Sequence, residues 1–174
     1  MQAKIEALSR LNRQLSPPEE LCGLFLPPGA AQRDDVLLLA EMPSMNEPKG
    51  SVQSPCNFGV TARDRFFQDM LVDYGLSGVY VTDIVKRRDI PRRPSEHEVK
   101  QWLPFLKKEL AILCPSMIIV IGKRTYDCFL RHVIEYLDGH FRHDFIFHYC
   151  SQVPRAKFET RLREVVGQYN LSRK

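Results

Sequence analysis

The chain has 174 residues, 44% of them hydrophobic and 26% charged, with a net charge of +4. That length supports one compact domain with a real core, and that composition excludes a disordered chain. No apolar run approaches the roughly 20 residues of a membrane span, and the amphipathic start, MQAKIEALSRLNRQL, lacks the apolar segment of a secretory signal.

Ile5, Leu8, Leu11 and Leu15 recur every three or four residues, which predicts a helix over residues 2–15. Ser16, Pro17 and Pro18 stop it. Residues 17–35 read as irregular chain wrapped over the domain. Val36–Ala40 is a continuous apolar run and reads as a buried parallel strand. A long loop follows over 42–60, with Pro43, Pro48, Gly50, Pro55 and Gly59; loops of this length in compact domains are usually functional or disordered. Thr61 with Asp64 reads as a helix start, Phe66, Phe67, Met70, Leu71 and Tyr74 as its apolar face, and Gly75 as its end.

Val79–Val85 is the second predicted strand, carrying Asp83 near its end. The loop KRRDIPRR, Lys86 to Arg93, has five basic residues in eight, and Pro91 prevents a regular helix there. Ser95 with Glu98 makes a capping box for a helix through Val99, Trp102, Leu103, Leu106 and Leu110 to about Leu113. Met117–Ile121 is a third buried strand. Gly122 turns the chain into a helix whose apolar side is Tyr126, Phe129, Leu130, Val133 and Leu137. Asp144–Phe147 reads as a fourth strand with His148 just past its end. Pro154 is expected at the first turn of the last helix, with Phe158, Leu162, Val165 and Tyr169 inward.

Strands alternating with helices predict a parallel sheet with helices on both faces: a three-layer α/β/α sandwich around a central four-stranded parallel sheet. Residues 1–35 are expected as an N-terminal helix and wrapping segment and 36–174 as the α/β domain, one globular unit overall. The five cysteines, Cys22, Cys56, Cys114, Cys128 and Cys150, are widely spaced with no CxxC pair. A structural zinc or a disulfide framework is therefore not expected, and free thiols point to the cytoplasm. A monomer with no membrane contact is expected.

Parallel strands put their carboxyl ends on one edge, where doubly wound sheets bind ligands. Four features are expected there: Glu41 with its loop, Asp83 with the basic loop, Gly122 with Lys123, and His148. Each also has a plainer reading. Glu41 also reads as a helix cap, Asp83 as a turn acceptor and KRRDIPRR as a solvated loop, and a histidine placed like His148 is more often structural than catalytic.

Taken in order, these residues resemble the uracil-DNA glycosylase superfamily over about residues 36–166, and most closely its thermophile-type branch, family 4. That branch opens with Gly-Glu-Ala-Pro-Gly after a strand, and Ala40-Glu41-Met42-Pro43-Ser44 matches it at Glu and Pro. Asn57-Phe58-Gly59-Val60 is similar to its Phe-Val-Gly segment. Thr82-Asp83-Ile84-Val85-Lys86-Arg87, then Pro91-Arg92-Arg93-Pro94, resembles its Thr-Asn-x-Val-Lys-Cys pattern with following proline and arginine. Leu103-Pro104-Phe105-Leu106 and Met117–Gly122 also look like the family. His148 stands where the branch has His-Pro-Ser, here followed by Tyr149-Cys150-Ser151.

The resemblance implies base flipping and hydrolysis of an N-glycosidic bond in DNA carrying a damaged or deaminated base. His148 would donate to the O2 of the departing base. Glu41 or Glu47 would orient water or stabilise the positive sugar. Phe58 would stack on the flipped base and Asp83 would face its edge. Lys86, Arg87, Arg88, Arg92, Arg93 and Lys123 would bind DNA, the basic loop holding phosphates, and Gln152 or Arg155 would fill the gap in the minor groove. The departures fall on the chemistry. Arg87 and Trp102 occupy two positions where the branch has cluster cysteines, so no iron–sulfur cluster and no other cofactor is expected. Met42 fills a spot used by Asp in another branch. Asp83 replaces an Asn that offers uracil both a donor and an acceptor; an ionised Asp only accepts. The alternatives are a non-catalytic nucleic-acid-binding relative of the same fold and an unrelated nucleotide-binding α/β domain, although no Gly-rich phosphate loop supports the latter.

Overall fold

The structure is a computed structural model and describes residues 1–12, 14, 32–42, 62–86, 93–137, 141–149 and 152–170. In chain order these form α1 (Gln2–Asn12), β1 (Arg33–Ala40), α2 (Ala62–Asp73), β2 (Val79–Asp83), α3 (Glu96–Leu113), β3 (Met117–Ile121), α4 (Lys123–Cys128), β4 (Arg142–Ile146) and α5 (Arg155–Tyr169). The strands make one sheet in the order β2-β1-β3-β4, and every pairing is parallel.

β1 lies inside this sheet, and Val36, Leu37, Leu38 and Leu39 are all 0% exposed. Successive side chains of a strand point to opposite faces, so an uninterrupted apolar run suits a strand covered on both. Leu37 and Leu39 join Ile118 and Val120 under α1, α3 and the helix after β3. Val36 and Leu38 join Ile119 and Ile121 under α2 and α5. The result is the expected three-layer α/β/α sandwich. Each such Leu contributes about 1.5–3 kcal/mol by leaving water.

The chain crosses from β1 to β2 on one side and from β3 to β4 on the other. Neighbouring β1 and β3 are therefore the point where strand order reverses, and the crevice beyond their carboxyl ends is where such sheets bind ligands. The ends are level: Ala40 pairs with Asp83, Leu39 with Val120, and Ile121 with Ile146.

Several boundaries differ from the sequence reading. The first helix ends at Asn12, and Ile5 and Leu8 enter the same core as Leu103 and Leu106 of α3. β1 begins at Arg33, ahead of the apolar run, because Arg33 is only 4% exposed and is satisfied there. Its guanidinium binds both Asp35 oxygens, at 2.9 and 2.7 Å, and the Gly75 carbonyl at 2.5 Å. β2 stops at Asp83; Ile84 and Val85 remain buried but bend away. β4 is Arg142–Ile146, two residues earlier at its start than expected.

The helix after Gly122 is not uniform. It passes from α4 into a π turn at Phe129–Val133, where Ile134 N–H donates to the Phe129 carbonyl at 3.0 Å, and then into a 3-10 turn at Glu135–Leu137. The wider turn keeps Phe129, Val133 and Leu137 buried and turns Leu130 out, 39% exposed, against the expectation that it faces the core. Pro154 is the residue before α5 rather than its first helical residue; its extended backbone (φ −55°, ψ 142°) and its carbonyl, which accepts from Phe158, start the helix. The expected capping residue Thr61 and the loop over 43–60 lie outside the described residues.

The capping box of α3 is present in full: Glu98 N–H donates to Ser95 Oγ, and Ser95 N–H donates to the Glu98 carboxylate at 2.6 Å. Ser95→Ala is expected to cost about 1 kcal/mol. In a chain of this size that lowers the melting temperature by about 2–4 °C. A calorimetric scan of both proteins checks it.

Candidate active site

Glu41 leaves the end of β1, half-buried. Its carbonyl accepts from Val85 N–H at 3.0 Å, and Ala40 accepts from Ile84 N–H at 2.9 Å, so the turns after β1 and β2 are laced together. Asp83 closes β2 and is 9% exposed. Met42 is half-buried and packs on the core beneath α3.

On the other side of the crevice, Gly122 follows β3 with φ +101°, a conformation that L side chains rarely adopt. A Cβ there would meet Thr125 Oγ1 at 3.3 Å and His148 Cβ at 3.5 Å. Glycine thus lets the chain take this turn, with His148 at ordinary packing distance beside it. Gly122 N–H donates to the Ile146 carbonyl at 2.8 Å, which ties the segment ahead of His148 to the end of β3.

The His148 ring stacks on Tyr149 (5.0 Å, 15°), and Tyr149 stacks on Phe67 of α2 (4.6 Å, 12°). The ring is therefore anchored through aromatic contacts to the α2 and α5 layer. His148 is open to solvent over part of its surface. Burial pushes its pKa below 6.5, the Arg93 guanidinium pushes the same way, and Asp64 opposes both. That exposure tempers the desolvation without reversing it, and the imidazole is neutral at neutral pH.

Arg93 also reaches Glu41, Nη1 to Oε1 at 3.7 Å. Glu41, Arg93, His148 and Asp64 therefore form one electrostatic group beyond the strand ends. Asp64 was not singled out from the sequence as a site residue. It lies in the first turn of α2, 4% exposed. Its sequence signal, an acid three residues after a threonine, reads equally well as a helix cap. Because α2 follows a parallel strand, its positive N-terminal end points to the same edge, as does that of α5.

Lys123 is exposed at the start of α4 and paired with Asp127. Gln152 and Arg155 are exposed before and at the start of α5, and the Arg155 guanidinium lies over the Phe66 ring at 4.5 Å. Lys86, expected to bind DNA, is buried instead. It is 1% exposed, its ammonium 2.7 Å from Glu109 Oε2, so it cannot reach a phosphate. Glu47, Phe58, Arg87, Arg88 and Arg92 lie outside the described residues.

Among the described residues no three His, Cys, Asp or Glu side chains gather as metal ligands. Trp102, where the resemblance implies a cluster cysteine, is half-buried with its ring edge-on to Phe105 (6.0 Å, 79°). The residues present do not fit an iron–sulfur ligand set there. One cavity, of about 420 Å³, lies away from this chemistry, between the C-terminal ends of α2 and α5. No helix of the described residues is long and apolar enough to cross a membrane.

The structure is a doubly wound α/β domain with a histidine, carboxylates and an arginine gathered at the carboxyl edge of its sheet, the place where such sheets bind ligands. A family model described as the uracil DNA glycosylase superfamily matches residues 28–168. The chain belongs to that superfamily, and membership supports a glycosylase-like function on DNA in general. No curated protein gives a significant match.

The downward shift of His148 has a consequence for stability. The folded state binds the imidazole proton less readily than the unfolded chain does. This contribution is full above the unfolded pKa of 6.5 and is lost as the pH falls through that value toward the lower folded pKa. His148→Gln removes it. The difference in unfolding free energy between wild type and His148→Gln is expected to move against the wild type on acidification from pH 7 to 5. Denaturant titrations across that range check the sign.

Proposed function

We propose that the protein excises a deaminated or otherwise altered base from DNA by flipping the nucleotide and hydrolysing its N-glycosidic bond. The observation that carries this reading is the group at the carboxyl edge: Arg93 stands 3.7 Å from Glu41 and acts on His148, which folds up beside Gly122.

A neutral His148 suits the role of hydrogen-bond donor to the O2 of the departing base. It stabilises the charge that gathers there without placing a permanent cation in the ground state. Glu41, or Glu47 as the alternative carboxylate, orients water or stabilises the positive sugar. Phe58 stacks on the flipped base. Asp83, when ionised, accepts from a ring N–H or an exocyclic amine, such as the N3–H of uracil or the N4 amine of cytosine. Arg87, Arg88, Arg92, Arg93 and Lys123 hold phosphates, and Gln152 or Arg155 fills the gap left by the flipped nucleotide. Lys86 has no part in this set. The second reading, a non-catalytic nucleic-acid-binding relative, is favoured by Asp83 where the family has Asn and by Met42 where another branch has an acid.

His148→Ala is expected to lower single-turnover excision about 100- to 1000-fold, the usual effect of losing one such donor. DNA affinity should change little, and His148→Gln should recover part of the rate. If His148 is only structural, the rate falls no further than the folded fraction, so melting temperature and rate are measured on the same samples.

Replacing Arg87, Arg88, Arg92 and Arg93 by Glu is expected to weaken DNA binding and flatten its salt dependence, by up to roughly 0.9 in log–log slope for each phosphate no longer neutralised. Fluorescence anisotropy at several salt concentrations reads both. Unchanged affinity and slope would remove this loop from the interface.

A further inference from the structure

The most deeply buried charges beside the site are ones the excision chemistry does not use. Lys86 is 1% exposed and Glu109 of α3 is 0% exposed, with ammonium and carboxylate 2.7 Å apart. Apolar residues of similar volume are often as stable as a buried ion pair, so stability alone explains such a pair poorly.

Its other bonds are informative. The Lys86 ammonium also donates to Thr82 Oγ1 at 2.5 Å and to the carbonyl of Asp83. Thr82 Oγ1 lies 3.1 Å from Glu109 Oε1, and Tyr80 donates to the same oxygen at 3.4 Å. All of these contacts fall on β2 and the turn leaving it. Lys86 thus folds back under that turn and binds its last two strand residues to α3. Ile84 and Val85, which it encloses, are the residues whose N–H groups hold Ala40 and Glu41 at 2.9 and 3.0 Å. One buried ammonium therefore sits behind the backbone that carries Asp83 and anchors Glu41.

We propose that Lys86 and Glu109 are positioning residues: the pair clamps the end of β2 so that the Asp83 and Glu41 carboxylates meet the flipped base and its sugar at a fixed spacing. The effect on catalysis rests on the base-excision reading above, while the clamp itself does not. A specificity residue held through its own carbonyl keeps its carboxylate in one register, so loosening the clamp alters which base is favoured rather than merely how much protein is folded.

The test uses the full chain. Lys86→Met alone leaves Glu109 buried and uncompensated, which lowers stability whatever the role. The informative protein is the double variant Lys86→Met/Glu109→Gln, which removes both charges and keeps the volume. Thr82→Val, which removes one arm of the clamp and no charge, is the second variant and decides the matter if the double variant does not fold.

Melting temperature, amide hydrogen exchange and single-turnover excision are measured on each. Near wild-type melting is expected for the double variant. Exchange at Ile84 and Val85 should quicken about 10- to 100-fold, the factor matching loss of a hydrogen bond to a charged group, while Ile119 in β3 keeps its protection. The rate ratio between the two best-excised bases should change with it, and Thr82→Val should move both in the same direction by less. Wild-type exchange at Ile84 and Val85, or one common acceleration at every amide, would overturn the clamp. Selective loosening with an unchanged base ratio would overturn the positioning role. If the wild-type protein releases no base at all, the excision reading fails on that result, and amide exchange still decides the clamp.

Discussion

Parallel pairing of β1 on both of its edges is the constraint on which the rest of the molecule depends. A strand with parallel neighbours on each side needs crossovers that pass over the sheet, and those crossovers bury both of its faces. Val36 to Leu39 meet that demand with no polar atom beyond the backbone, and all four are fully buried. Level registers then bring Ala40, Asp83, Ile121 and Ile146 to one edge. The chemistry of the site follows from that alignment: Glu41 and His148, far apart in the chain, leave strand ends on either side of the crevice.

The two sides of the crevice are joined by charge. Arg93 comes from the segment before α3, reaches Glu41, and lowers the pKa of His148. Asp64 pulls that pKa back from the N-terminal turn of α2. The site thus draws on the turns after β1 and β4 and on the starts of α2 and α3. Below it, the buried Lys86–Glu109 pair binds the end of β2 to α3. A lysine that is 1% exposed cannot meet a ligand from solvent; its burial makes sense when it acts on the protein's own backbone.

Much of the fold could be read in the sequence because apolar periodicity reports burial directly. Val36–Ala40 and Met117–Ile121 are short, uninterrupted apolar runs of the kind a covered parallel strand carries, and the Ser95 and Glu98 capping box marked the start of α3. Failures came where polar residues satisfy one another inside. Arg33 extends β1 because Asp35 and the Gly75 carbonyl neutralise it, and Lys86 turns inward because Glu109 awaits it in α3. A linear pattern of five basic residues in eight cannot show which of them has a buried partner. The π turn at Phe129–Val133 escaped for a related reason: a strict helical period puts Leu130 on the inner face, and one wider turn removes it. The placement of Glu41, Asp83 and His148 at strand ends on one edge was legible in the sequence. Asp64 was not, since its spacing from Thr61 already had a sufficient explanation as a helix cap.

We propose that this carboxyl edge breaks a glycosidic bond. The most direct measurement is release of free base from synthetic duplexes carrying uracil, hypoxanthine, xanthine or unmodified cytosine opposite a normal partner, under single-turnover conditions with excess protein. The expected result is time-dependent release of at least one of these bases, leaving an abasic site, with the rate rising from acid pH to a plateau near neutrality as His148 becomes neutral. Tight, salt-sensitive binding to the same duplexes with no base released from any of them would contradict it.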